Sequence, residues 1–161
     1  MSFEDLVREH AAALFRYAYW LARDRHQAED VVQEALIRGW RAFPRLRERA
    51  AAKTWLFSIV RNEYLRAAGR KPQAVVGLEE AELVAETTSP GLEMREALMA
   101  LPPSYAEPLT LQVLGGFSCA EIAAMIGTTE GATMTRLTRA RQALRRLIEP
   151  AGARESKGGR P

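Results

Sequence analysis

Residues 118–147 read SCAEIAAMIGTTEGATMTRLTRARQALRRL, and this stretch decides the fold. Ser118 can accept a backbone N–H at a helix start, and Glu121, three residues on, can reach back to complete a capping box. Ile122, Met125 and Ile126 give the short helix one apolar face. Gly127 stands where the chain must leave that helix, as a left-handed C-cap requires. Thr128 or Thr129 can then cap a second, longer helix. A short helix, a glycine turn and a longer helix predict a helix-turn-helix. Along the second helix Thr133, Leu137, Ala140, Leu144, Leu147 and Ile148 recur at helical spacing and form the expected buried stripe. Arg136, Arg139, Arg141, Arg145 and Arg146 lie mostly off it, with no acidic residue between Gly131 and Ile148. A solvated basic face would look the same, but behind a capped helix and a glycine turn this pattern suits the DNA major groove.

The rest of the chain sets bounds on that reading. It has 161 residues, 47% of them apolar, and a net charge of +3, enough for one domain or two small ones and consistent with an acidic partner. Two His and one Cys leave no disulfide framework and no Cys/His zinc site, and neither His10 nor His26 has metal-ligand or base–nucleophile spacing. No cofactor, metal or catalytic residue is therefore expected, and the chain is not read as an enzyme. No apolar run is long enough to span a membrane, and the first residues lack the basic and apolar parts of a secretion signal, so a reducing, cytoplasmic location is expected. Cys119 is read as a small packed residue.

Taken from its start, the chain is all helix. Phe3, Leu6, Val7, Leu14, Ala18 and Leu21 mark a first amphipathic helix, with Ser2 as its cap. Asp24 with Gln27 starts a second, whose stripe of Ala28, Val31, Val32, Ala35, Leu36, Gly39, Trp40 and Phe43 runs until Pro44. Ile37 stands on its charged face, either as a tolerated exposed residue or as the anchor of a docking patch. A third helix from about residue 51 to 68 turns Trp55, Leu56, Ile59 and Val60 to a core. Phe57 and Tyr64 lie among Lys53, Arg61, Arg66 and Arg70, a pattern that suits single-stranded nucleic acid if the rings are exposed and a core if they are not. From Gly69 to Ser89 the composition turns acidic and periodicity stops, which reads as a flexible linker with a weak helical turn near residues 78–83. Ser89-Pro90 restarts helix in the cap-then-proline order. Pro102-Pro103 ends that helix, and Ser104 with Glu107 is expected to cap the next, with Pro108 in its first turn. The domains are therefore 1–70, a linker 71–89, a helix-turn-helix domain 90–149 and a disordered tail 150–161. Nothing in the sequence fixes how the two domains sit together, so they are expected to be mobile when free.

These residues resemble a known family. Asp24 to Trp40, with Ala28-Glu29-Asp30-Val31-Val32-Gln33-Glu34 and Arg38-Gly39-Trp40, resembles the second conserved region of bacterial extracytoplasmic-function sigma factors. Thr54-Trp55-Leu56-Phe57-Ser58-Ile59-Val60-Arg61-Asn62 resembles the helix with which those factors open the promoter minus-10 element. Leu101-Pro102, Gly116-Phe117-Ser118, Glu121-Ile122-Ala123 and Gly131 to Arg141 resemble their fourth region, which reads the minus-35 element. The resemblance implies that Asp30, Gln33, Glu34 and Ile37 face the clamp helices of the core polymerase. It implies that Asn62 helps hold a flipped-out base of the opened strand, with Lys53, Phe57, Arg61 and Arg66 beside it, and that Met134, Thr135, Arg136, Thr138 and Arg139 face the minus-35 groove. The implied partners are RNA polymerase core, promoter DNA and an anti-sigma factor. Where the family usually has Thr-Val-Lys/Arg after the recognition glycine, this chain has Ala132-Thr133-Met134, and a common Arg before the turn is Ala106. Two other readings stay open: a sigma-like decoy that binds an anti-sigma factor without promoter activity, and a helix-turn-helix repressor.

Overall fold

The computed structural model describes residues 2–69 and 94–149. Among them are seven α-helices and no strand: α1 (Phe3–Ala22), α2 (Arg25–Ala42), α3 (Ala52–Ala67), α4 (Met94–Ala100), α5 (Pro103–Gly115), α6 (Cys119–Ile126) and α7 (Glu130–Ile148). The acidic linker, the Ser89-Pro90 helix start and the tail expected to be disordered lie outside the described residues.

The helix starts follow local chemistry. Ser2 and Asp5 form a reciprocal capping box ahead of α1, and Ser118 and Glu121 form another ahead of α6. Asp24 accepts from the Gln27 N–H and Thr129 from the Ala132 N–H. Gly127 takes φ 75° and closes α6 in the left-handed conformation that the tight turn to α7 demands. At the start of α5 the expectation fails. The helix begins at Pro103 with Pro102 before it, no side chain caps it, and Ser104 Oγ is buried without a hydrogen-bond partner. Pro103 has no N–H to satisfy at that position, which lowers the demand for a cap. Pro108 consequently falls inside the helix rather than in its first turn.

α1, α2 and α3 pack around Leu6, Leu14, Tyr17, Val31, Leu56, Phe57 and Val60. The buried stripe of α2 is made of small residues, Ala28, Val31, Ala35 and Gly39, because its neighbours come close: a Cβ at Gly39 would sit 3.2 Å from the Phe3 ring. Trp40, read from the sequence as part of that stripe, is 62% exposed. It lies one helical step, about 100°, past Gly39, at a position the narrow stripe does not cover. A second core joins Ala97, Leu101, Tyr105 and Leu109 to Leu137, Ala140, Ala143 and Leu147 of α7.

The two halves are not independent. Leu111, Phe117 and Ile122, from the second half, belong to the first core. Phe117 reaches it because Gly115 leaves room: a Cβ there would lie 2.3 Å from the Phe117 ring. Arg23, at the C-terminus of α1, holds φ 56°, which L side chains other than Asn and Asp rarely adopt. Its guanidinium donates to the carbonyls of Met99, in the last turn of α4, and of Leu101, just after it, a contact that offsets the strain. Aromatic packing and charged hydrogen bonds, for which the sequence carried no local signal, join the halves in this structure.

Candidate nucleic-acid and polymerase interfaces

The face of α7 opposite its buried stripe carries the candidate duplex site. Met134, 54% exposed, together with Thr135, Thr138, Arg139 and Gln142, lines an open cleft of about 330 Å³. Arg136 and Arg139 are half-buried along their stems, and no hydrogen bond or ion pair among the described residues engages either guanidinium. Thr138 donates to the Met134 carbonyl, so its hydroxyl hydrogen is already committed and its oxygen lone pairs are what it offers outward. Arg141 is tied instead to the Gln112 side chain of α5, which separates it from the free cations. Gln142 was not singled out from the sequence. Its signal was present in the spacing 134, 138, 142, one row of a helix surface. The hairpin in front of α7 is held by the Ser118–Glu121 box, and the Ser118 backbone N–H is the leading cause that holds the Glu121 carboxyl below the usual carboxylate range.

The candidate strand site on α3 divides in two. Asn62 and Arg66 are exposed, with Arg66 3.7 Å from the Glu63 carboxylate. The other three expected residues face the second half of the chain. Phe57 is fully buried, its ring 5.1 Å from Phe117 and 5.8 Å from Tyr17. As placed it is a core residue, and Tyr64 is buried with it, so the alternative of exposed stacking rings gives way to packing. Lys53 donates to the Gly115 carbonyl and lies over the Phe117 ring. Arg61 donates from Nε to Glu107 at 3.0 Å, in a pair with only 20% and 13% of its side chains exposed. The Tyr17 hydroxyl donates to the same Glu107 carboxylate at 2.8 Å. Burial, then the Glu107 charge, pushes the Tyr17 phenol well above its usual value. Burial works to lower the Arg61 pKa, but the Glu107 charge and hydrogen bond outweigh it and the net shift is upward. Glu107 is therefore an interface residue and not the cap its spacing suggested.

The candidate polymerase face is on α2. Asp30 and Gln33 are exposed, Glu34 is half-buried and pairs with Arg38 at 3.3 Å, and Ile37 is 41% exposed. Trp40, three residues on from Ile37, extends this face with a large apolar ring. A second tie from Arg38, 2.8 Å to the buried Glu63 carboxylate, fixes α2 against α3. Among the described residues no group of three or more His, Cys, Asp or Glu is placed to hold a metal ion, and no helix is long and apolar enough to cross a membrane.

Comparison with known proteins identifies the family. Residues 6–71 match sigma-70 region 2 and residues 91–144 match sigma-70 region 4. The chain is 34% identical over 157 residues to the ECF RNA polymerase sigma factor SigL of Mycobacterium tuberculosis, covering 91% of this chain and 89% of that one. It is 32% identical over 151 residues to SigM of the same organism, covering 91% and 77%. Against SigE of Mycolicibacterium smegmatis the identity is 32% over 156 residues, but this chain spans only 60% of that longer protein. Among solved structures, the sigma factor RpoE of Bartonella quintana in complex with the anti-sigma factor NepR superposes with a TM-score of 0.72 at 25% identity, covering 91% of this chain and 96% of that one. CnrH in complex with the cytosolic domain of CnrY gives 0.63 at 28% identity, covering 91% and 86%. With both regions matched in order and SigL aligned over nearly its whole length, the chain belongs to the ECF RNA polymerase sigma factors.

Proposed function

We propose that this chain binds core RNA polymerase through the α2 face of Asp30, Gln33, Glu34, Ile37 and Trp40 and directs promoter-specific initiation. In this reading α7 meets the minus-35 duplex through Met134, Thr135, Arg136, Thr138 and Arg139. α3 meets the melted minus-10 strand through Asn62 and Arg66, with Lys53, Phe57 and Arg61 joining once they are uncovered. The observation that carries the reading is the outward face of α7, opposite its buried stripe, which carries the Arg136 and Arg139 guanidiniums without a partner among the described residues and an open cleft lined in part by Arg139. Such groups reach phosphates and base edges in a major groove. Met134 stands where the family usually places a cation, and an apolar side chain can still meet a thymine methyl, so the expected consequence is an altered minus-35 preference.

An anti-sigma factor is the proposed regulator, since both solved relatives named above are complexes with such a protein or with a cytosolic domain bound to the sigma factor. The test of the whole reading is run-off transcription with purified core polymerase on an unbiased promoter library, with permanganate footprinting of the minus-10 region. Opening of a defined promoter set supports it. If the holoenzyme opens none while an anti-sigma factor still binds, the decoy reading replaces it.

A further inference from the structure

Three of the five residues expected to touch the melted strand are held by the chain's own second half, while Asn62 and Arg66 stay exposed. Lys53 is bonded to the Gly115 carbonyl, Phe57 is packed on Phe117, and Arg61 is paired with Glu107. Tyr17, fully buried, donates to the same Glu107 Oε2 that Arg61 Nε reaches, so one carboxylate ties α1 and α3 to α5. Arg23 fixes the α4–α5 junction, and Thr54 comes within 3.5 Å of the Glu121 carboxylate on α6. This contact set is selective. The α2 face of Gln33, Ile37 and Trp40 stays open, and so does the cleft on α7. On α3 the covered residues are Lys53, Phe57 and Arg61, while Asn62 and Arg66 stay exposed, and the same contacts also cover the Tyr17–Arg23 end of α1.

We propose that region 4 is an intramolecular inhibitor of region 2, latched through the Tyr17–Glu107–Arg61 triad. The latched chain can dock on core polymerase and touch duplex DNA, but cannot present Lys53, Phe57 and Arg61 to an unpaired strand. Release of the latch is then a step between docking and strand capture. This inference rests on the sigma-factor reading for its biological meaning, although the latch itself is a property of the free chain. A latched majority lowers the apparent strand affinity by the fraction of chains that are open.

The test uses the full chain, without polymerase, as wild type, Tyr17→Phe, Glu107→Gln and the double variant. Tyr17→Phe removes only a hydroxyl and Glu107→Gln keeps the side-chain shape, so thermal melting should show folded protein in each case. Glu96→Gln, on the exposed side of α4, makes the same change in net charge away from the latch. The readouts are the radius of gyration from small-angle scattering, and fluorescence anisotropy with a short mixed-sequence single strand and with the corresponding duplex. The double variant should expand and bind the single strand about tenfold more tightly, because charged hydrogen bonds of this kind shift equilibria by that order. Duplex affinity should stay level, and Glu96→Gln should match wild type. An unchanged radius and an unchanged strand affinity in the folded double variant would overturn the latch, as would an equal gain in Glu96→Gln. Run-off transcription by wild type separates the two ideas. Transcription with an unresponsive double variant keeps the sigma reading and removes the latch, whereas a responsive double variant without any transcription keeps the latch and removes the sigma reading.

Discussion

The Arg38–Glu63 pair offers a test of how the docking helix is held, and its magnitude can be worked from the structure. The Glu63 side chain is 8% exposed and accepts from Arg38 Nε at 2.8 Å, with Arg66 a more distant second partner at 3.7 Å. Removing one member of a fully buried pair costs about 3–5 kcal/mol, because the other charge is left without compensation. Here the Arg38 side chain is 44% exposed and Arg66 remains, so Arg38→Ala should cost about 2 kcal/mol, near the value of a single charged hydrogen bond. For a chain of this size each kcal/mol moves the melting temperature by about 2–4 °C, which gives a fall of about 4–8 °C. Glu63→Gln leaves no bare charge and should cost about half as much. Adding it to Arg38→Ala should recover part of the loss, since the uncompensated carboxylate disappears. Circular dichroism melts of the four proteins form a double-mutant cycle. If Arg38→Ala shifts melting by less than about 1 °C, or if the double variant is simply the sum of the singles, the pair behaves as a solvated surface contact and does not fix α2 against α3.

Ile37→Asp should weaken core-polymerase binding in a pull-down while moving the melting point little, because no buried contact is lost; unchanged core affinity would remove Ile37 from the docking face. Arg139→Ala should cost about 1–3 kcal/mol in duplex binding, measured by anisotropy on a selected minus-35 site. Asn62→Ala should leave that binding intact and reduce permanganate reactivity at the minus-10 region with core enzyme present, the signature of a defect confined to the opened strand. The Tyr17 phenol is raised by burial and by Glu107, with Arg61 the opposing charge beside it. A raised phenol contributes stability in full below its unfolded value near 10, and that contribution is lost as pH rises through the folded value. Scattering across alkaline pH should therefore show wild type expanding, and Tyr17→Phe should lack that transition.

What could be read from the sequence was what lies within one helical turn. Ser2, Asp24, Ser118 and Thr129 each cap a backbone N–H three residues away, and Gly127 turns a chain that must reverse within two residues. Chemistry at that range does not depend on the rest of the fold, so all-helical architecture and the helix-turn-helix were legible. The outward placement of Arg136 and Arg139 followed from period alone. Trp40 and Phe57 were not legible. A period of 3.6 gives the direction of a buried stripe but not its width, and that width depends on how closely Phe3 approaches Gly39. Phe57 sits beside cations because the cations and the ring face one partner surface, a circumstance that a base-stacking site would share. Only the position of Phe117, far along the chain, decides between the two.

Glu107 shows why a local signal can be correct chemistry in the wrong place. The spacing Ser104 to Glu107 is that of a capping box, and the same spacing forms one at Ser118 and Glu121. At Ser118 the N-terminal turn faces solvent and competing partners are few. At Glu107 two groups from other helices compete for the carboxylate: Arg61, with only 20% of its side chain exposed, and Tyr17, fully buried. An uncapped helix start costs about 1 kcal/mol, and Pro103 lowers that by removing one donor. A half-buried guanidinium without a counter-charge and a buried hydroxyl without an acceptor would together cost more. The carboxylate therefore goes to the partners ninety and forty-six residues away, and no capping box forms at Ser104. The same inequality makes the latch reversible. If Arg61 meets a strand phosphate, it gains a counter-ion of comparable strength, and Glu107 can exchange that partner for water.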